Sequence, residues 1–194
     1  MDKYQVIYAD PPWNFGASIP STKGSKDGNI VYSDRPLDKW QYNTMKAPEL
    51  REFFAGPVKD MADDTAVLVM WTTDAHIKLA IELGELAGFE YKTIAFRWLK
   101  KTPKGNNVTY MGRWTCKGSE EALLFSKGTA HRDLLKAHNV RQLVEAERRE
   151  HSRKPDEVRE RLLTMFPDCR RIELFARDTS PGWDAWGNEV GKFD

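Results

Sequence analysis

Long apolar runs are missing from this chain. None approaches the ~20 residues that a membrane-spanning helix needs. The opening "MDKYQVIY" holds too short an apolar stretch for a signal peptide. Cysteine is scarce: Cys116 and Cys169 lie far apart, and neither belongs to a C-x-x-C pair. His76, His131, His138 and His151 have no ligand spacing either. Neither a disulfide framework nor a metal site is expected. Repeats, low-complexity tracts and linkers are lacking too, so residues 1–194 are expected to form a single domain with one core. Residence in the cytosol, with no membrane partner, is the default.

No overall charge bias points to an acidic partner, since the formal net charge is +1. The distribution says more. From Lys92 to Lys117 there are seven basic residues and no Asp or Glu, interleaved with Phe96, Trp98, Tyr110 and Trp114. Basic residues among aromatics suit a phosphate backbone with unstacked bases; a solvated strand and loop with core aromatics is the plainer reading. Lys101, Lys104 and Arg113 are the candidate phosphate contacts.

Strand-like apolar runs alternate with amphipathic segments. Residues 4–9, 65–72, 91–100, 120–127 and 170–176 read as strands, with a short one near 139–146. Residues 46–56 read as a helix with proline in its first turn. A second helix is expected after Asp74, capped by it and ended by Gly88. A third starts at Pro155, with Val158, Leu162 and Met165 or Phe166 on one face. Residues 16–36, rich in Gly, Ser, Lys, Asp and Pro, read as a long mobile loop of the kind that forms lids. The alternation implies an α/β fold: a mainly parallel sheet covered by helices on both faces. Ligands bind such sheets beyond the carboxyl ends of the strands.

The segment "YADPPWNF" falls at that rim. Two successive prolines make a stiff, extended turn. Asp10 then offers a carboxylate and Pro11 a carbonyl in nearby directions, two acceptors for a group with two N–H donors such as an exocyclic amine. Pro12 completes the turn, and Trp13 supplies a face on which a base can stack. The alternative is a structural turn with a core tryptophan. An adenine amino group is a poor nucleophile because its lone pair is delocalised into the ring. Hydrogen bonds from both N–H groups would localise that pair for in-line attack on a sulfonium methyl, with positioning and fixed electrostatics supplying most of the gain.

At these residues the chain resembles the DPPW-type N6-adenine methyltransferases, the family of the eukaryotic mRNA adenosine methyltransferase catalytic subunit and of small bacterial and phage DNA enzymes. "YADPPW", "YNTM", "VMWTT", "FRWLK", "HSRKPDE", "RRIELFAR" and "GWDAWGNEV" look like family blocks in family order. The resemblance implies a Rossmann-like fold, S-adenosylmethionine as donor, N6-methyladenine as product and a bacterial or phage-infected cytosol. It makes Asp10, Pro11, Pro12 and Trp13 the catalytic block. Asp10, Lys154, Glu173, Arg177, Asn188 and Glu189 become donor contacts, with Lys154 toward the donor carboxylate and Arg177, Asn188 and Glu189 toward the ribose. Trp13 would wall the target base. The chain departs from larger relatives in having only Met1, Asp2 and Lys3 before "YQVIYA", where an acidic segment otherwise holds the donor adenine. It also lacks the G-x-G-x-x-G fingerprint. The expected partner is nucleic acid, DNA before RNA, with a homodimer left open. RNA methylation, a non-catalytic nucleic-acid-binding subunit, and methylation of another amine are the alternatives.

Overall fold

The computed structural model describes residues 3–14, 21–26, 29–33, 44–112, 114–149 and 153–193, and only the backbone of 21–26 and 29–33. Its strands are β1 (Tyr4–Ala9), β2 (Ser21–Lys26), β3 (Asn29–Ser33), β4 (Ala62–Thr72), β5 (Glu90–Lys101), β6 (Ser119–Lys127), β7 (Leu143–Glu147), β8 (Arg171–Leu174) and β9 (Asp184–Trp186). Its α-helices are α1 (Ala47–Phe53), α2 (Lys59–Met61), α3 (Ile77–Leu86), α4 (Ala130–Asp133) and α5 (Asp156–Met165). Among the described residues no helix is long and apolar enough to cross a membrane.

Seven strands form one sheet in the order β7-β5-β6-β4-β1-β8-β9, and β2 and β3 pair separately. β1 runs parallel to both β4 and β8; β5–β7 and β8–β9 are parallel too. Only β6 runs against its neighbours. Alternate residues of β1 and β4 face opposite sides. Ile7, Ala9, Leu68 and Met70 pack with Leu50, Phe54, Ala80 and Leu83 from the α1–α3 side. Val6, Tyr8, Val67, Val69 and Trp71 pack with Val158 and Leu162 of α5. Both faces are covered, which is why these strands read as unbroken apolar runs rather than alternating ones. The expected Rossmann-like α/β architecture is the one observed.

β1 is the pivot of the topology. The chain winds from β1 to β4 and onward to one side, then returns through α5 to place β8 on the other. The crevice at such a reversal opens at the carboxyl ends of the central strands. Asp10 follows β1, and Phe175 to Arg177 follow β8.

Local differences from the sequence reading have physical causes. The 16–36 segment contains the antiparallel β2–β3 pair, with Ser21 opposite Ser33. The rest of the proposed lid lies outside the described residues. The helix expected over 46–56 is α1, then a π-helical turn over Phe54–Val58 that contains Pro57, then α2. Proline supplies no N–H and crowds the carbonyl four residues back, so the helix widens. Asp74 does not cap α3. The N-cap position is His76, and Asp74 instead forms an ion pair with Lys117 Nζ at 2.7 Å. Gly88 does end that helix, with φ of 83°, the left-handed conformation that glycine adopts at little cost.

Candidate active site

The turn after β1 is held on both sides. Trp13 N–H donates to the Pro11 carbonyl at 2.8 Å, and Met45 N–H donates to the Pro12 carbonyl at 2.9 Å. The Pro11 carbonyl, expected to serve an incoming amine, therefore already accepts one hydrogen bond within the turn. A carbonyl oxygen keeps a second lone pair for another donor. Trp13 is 4 % exposed. It stacks on His76, with ring centroids 5.1 Å apart and planes at 17°. His76 Nδ1 is 2.8 Å from Thr73 Oγ1 and its Nε2 is 3.2 Å from the Asn14 carbonyl. Burial lowers the His76 pKa, and the Asn14 carbonyl only partly opposes that. The indole is thus locked in place by the β4–α3 loop.

Asp10 Oδ2 accepts a hydrogen bond from Lys154 Nζ at 2.7 Å. Lys154 Nζ also lies 3.4 Å from Glu120 Oε2 and 5.6 Å from the Trp71 ring centroid. Glu120 pairs in turn with Lys100. Acid and base alternate along Asp10–Lys154–Glu120–Lys100, all four mostly buried. Burial raises the Asp10 pKa, and the pull of Lys154 only partly offsets it. At Glu120 burial also acts upward, but Lys154 and Lys100 together leave the carboxyl below its ordinary range. Among the described residues no hydrogen bond reaches Asp10 Oδ1, so one oxygen is anchored and the other is available.

A pocket opens beside this chain of charges, lined by Tyr8, Asp10, Lys154, Glu173, Phe175 and Arg177 among others. Phe175 has φ of 61°, a conformation that costs a non-glycine residue of order 1–3 kcal/mol and that packing must enforce. Its ring packs against Phe53 and Trp186, at 5.4 and 5.6 Å between centroids. The twist there sends Arg177 back over the pocket, where its Nε is 2.8 Å from Glu189 Oε2. Glu173 is deeply placed and 3.0 Å from Arg159 Nη1. Burial pushes its carboxyl up to about 7 despite that guanidinium. Arg159 also holds Asp156 and Asp178, so one cation serves three carboxylates. Phe193 closes the rim, with the Arg153 and Arg177 guanidinium carbons 4.8 and 4.6 Å from its ring centroid.

The structure therefore brings Asp10, Lys154, Glu173 and Arg177 around one pocket, with Glu189 on Arg177. Asn188 is exposed and does not line it. Lys101 ends β5 and Lys104 lies on the β5–β6 connection, both outside the pocket. Lys101 Nζ bonds Asn107 at 2.8 Å and lies 3.3 Å from Glu145, while Lys104 is exposed. Arg113 falls outside the described residues. Much of the basic stretch faces acids from elsewhere in the chain: Lys92 meets Glu90, Arg97 meets Glu121, and Lys117 meets Asp74. Phe96 and Trp98 are core. The sequence reading missed Glu120 and Arg159. Glu120 was hidden inside a strand, although two adjacent acids on alternating faces of an apolar run were the available signal. Arg159 sits on the buried face of α5, where an arginine is read by default as solvated.

Comparison with known proteins agrees along almost the whole chain. A family model described as MT-A70 matches residues 4–189. The type II methyltransferase M.MunI of Mycoplasma sp is 40% identical over 192 residues, 97% of this chain and 78% of that protein. A probable N(6)-adenosine-methyltransferase MT-A70-like protein of Oryza sativa subsp. japonica is 28% identical over 98% of this chain and 23% of its own length. The human N(6)-adenosine-methyltransferase catalytic subunit METTL3 is 27% identical over 98% of this chain and 29% of its own length.

Proposed function

This chain belongs to the MT-A70 family, and on that premise we propose that it methylates the N6 amino group of adenine in DNA, with S-adenosylmethionine as donor. The observation that carries the reading is Asp10: a carboxylate at the carboxyl end of the pivotal strand, one oxygen fixed by Lys154, followed by a stiff turn and an immobilised indole. DNA is preferred because the likeness to a type II methyltransferase is 40% along most of both chains. The relatives named as adenosine methyltransferases are matched over roughly a quarter of their length. Those names keep RNA as the second reading.

The donor set of the pocket fits S-adenosylmethionine. Asp10 and Glu173 are carboxylates suited to an amine and a sulfonium, Lys154 is suited to a carboxylate, and Arg177 with Glu189 to ribose hydroxyls. Phe175 and Phe193 give aromatic faces that favour a cation. When bound, the donor supplies an electrophilic methyl group on a sulfonium sulfur. The chain's own residues prepare the nucleophile. Asp10 Oδ1 and the second lone pair of the Pro11 carbonyl accept the two amine hydrogens, which draws the nitrogen lone pair out of the ring. Trp13, buried and pinned by His76, offers a base no open face, contrary to the sequence reading, and instead stiffens the turn that carries both acceptors. A donor held by Lys154, Glu173 and Arg177 would present its methyl carbon to the amine nitrogen, the carbon–sulfur bonding pair leaving with sulfur. The surplus amine proton goes to solvent or to Asp10. Lys154 holds Asp10 in place and favours its charged state.

Methyl transfer from labelled donor into unmethylated DNA and into RNA tests the reading, with the product base identified by mass spectrometry. N6-methyladenine in DNA is expected. Label only in RNA would move the substrate, N4-methylcytosine would move the base, and no label in any nucleic acid would sink the assignment.

A further inference from the structure

The connection between β5 and β6 is not a slack loop. Lys101 bridges Asn107 and Tyr110 bridges Lys117 in antiparallel fashion. Val108 N–H donates to the Lys100 carbonyl, and Tyr110 and Lys117 exchange both backbone hydrogen bonds, at 2.7 and 2.8 Å. At Gly118 a Cβ would meet the Val108 carbonyl oxygen at 2.2 Å, so the two legs of this arm are pressed backbone to backbone. The arm rises from the carboxyl end of β5 and the start of the antiparallel β6, on the rim that carries Asp10. Its root is tied to the site from two directions. Lys100 pairs with Glu120 and sits 5.7 Å from the Tyr110 ring. Lys117 pairs with Asp74, in the loop that supports His76 and Trp13.

The tip of this arm is apolar and wet. Trp114 is 92 % exposed and Met111 is 60 % exposed. A structured arm that holds an indole almost entirely in water forgoes burial that the sheet faces secure for Trp71 and Trp98. The arm's own charges have one sign: Lys104 is exposed on it, Lys117 pairs with Asp74 at its root, and residues 91–118 contain no Asp or Glu. Apolar wedges flanked by cations are what open a base stack. An adenine amino group in a duplex is engaged in pairing and cannot reach Asp10 unless its nucleotide leaves the helix.

We propose that Trp114 enters the base stack of duplex DNA and occupies the gap left by the adenine delivered to Asp10. The inference rests on the methyltransferase reading and narrows its substrate to the double-stranded form. The arm and the DPPW turn then act as two halves of one device, the arm keeping the duplex open while the turn holds the extruded base.

The test compares wild type, Trp114→Ala and Trp114→Phe on one preparation of unmethylated plasmid DNA, native and heat-denatured. Methyl transfer is followed with labelled S-adenosylmethionine. The ratio of kcat/KM on duplex to that on single strands is expected to fall about tenfold or more in Trp114→Ala, as loss of one stacking face predicts. Trp114→Phe should recover most of it. Donor affinity and melting temperature should match wild type, because the side chain touches neither pocket nor core. Equal loss on both DNA forms, or no loss, overturns the inference and leaves the methyltransferase reading standing. So does a wild type that forms dimers which Trp114→Ala dissociates, since the tip is then a protein interface. A wild type that labels RNA but no DNA overturns the inference and moves the substrate, and one that labels no nucleic acid overturns both.

Discussion

The proposed mechanism leans on Asp10 more than on any other single residue, and its environment sets the direction of two expectations. Removing the carboxylate in Asp10→Ala should cut kcat by about 10²–10³ or more, the scale lost when one preorganised polar group is taken from a dry site. The melting temperature should hold or rise, because a buried acid goes with it. Near-normal turnover in that variant would dismiss the two-acceptor arrangement. Burial lifts the Asp10 pKa and Lys154 opposes it. Only the ionised form accepts both from Lys154 and from an amine, so activity should fall as pH drops through that raised value. In Lys154→Met the opposing pull is gone. The acid limb of the kcat profile should then move to higher pH, and a limb that stays put would remove Lys154 from control of Asp10. Glu120→Gln should weaken the hold on Lys154 and lower kcat with little change in donor affinity.

At the scale of elements, two glycines show how packing sets the site. A Cβ on Gly187 would sit 2.5 Å from the Ala176 carbonyl oxygen and 2.7 Å from its nitrogen. Backbone cannot yield as a side chain can, so Gly187→Ala should push the 187–189 segment off β8. Donor affinity should drop as Glu189 leaves Arg177, with modest loss of stability. On Gly84 of α3 the added carbon would lie 2.4 Å from the Phe125 ring. Gly84→Ala should cost roughly 1–3 kcal/mol by overpacking, seen in denaturant unfolding, with the donor pocket spared. A variant with the opposite pattern would contradict the separation of core from site. These elements also show what was legible in the sequence. β1 ended where an apolar run met Asp-Pro-Pro, and α5 started where Pro155 preceded apolar residues at helical spacing; both stand as read. β2 was hard to read, because "STKGSK" holds one β-branched residue, Thr22, and no apolar alternation, whereas Ile30, Val31 and Tyr32 of β3 were an available strand signal. The pairing of Asp74 with Lys117 was equally hidden. A cap is a local signal, whereas that partner arrives through the three-dimensional path of the arm.

The molecule as a whole keeps a dense network of ion pairs under α5. Arg159 alone touches Asp156, Glu173 and Asp178, with Arg153 3.6 Å from Asp178 and Arg149 2.6 Å from Asp156. The cost falls on Glu173, whose carboxyl is pushed up to about 7 from an ordinary 4.5 by burial. The folded chain therefore binds this proton more tightly than the unfolded one. The stabilisation is complete below about 4.5 and is lost as pH rises through about 7. Glu173→Gln should raise the melting temperature at pH 8 by about 2–4 °C, the response of a chain this size to roughly 1 kcal/mol, and should leave it nearly unaltered at pH 4.5. A variant no more stable than wild type at pH 8 would place the strain elsewhere. Saturating S-adenosylmethionine should stabilise the protein by about 2.7 kcal/mol at a hundred times its Kd, and the absence of any shift would argue for a non-catalytic subunit.

The parallel pairing of β1 with β8 joins distant stretches of chain, and Gln5 and Arg170 meet there across 165 residues. Asp10 leaves the ribosome before Lys154, Glu173 and Arg177, which form one wall of its pocket, have been translated. On the proposed reading, a nascent chain can fold β4 and α3 around β1 before it has the residues that would retain a methyl donor. If the proposed reading holds, fragments released by premature termination before β8 would be inert toward nucleic acid methylation however well their early strands had assembled.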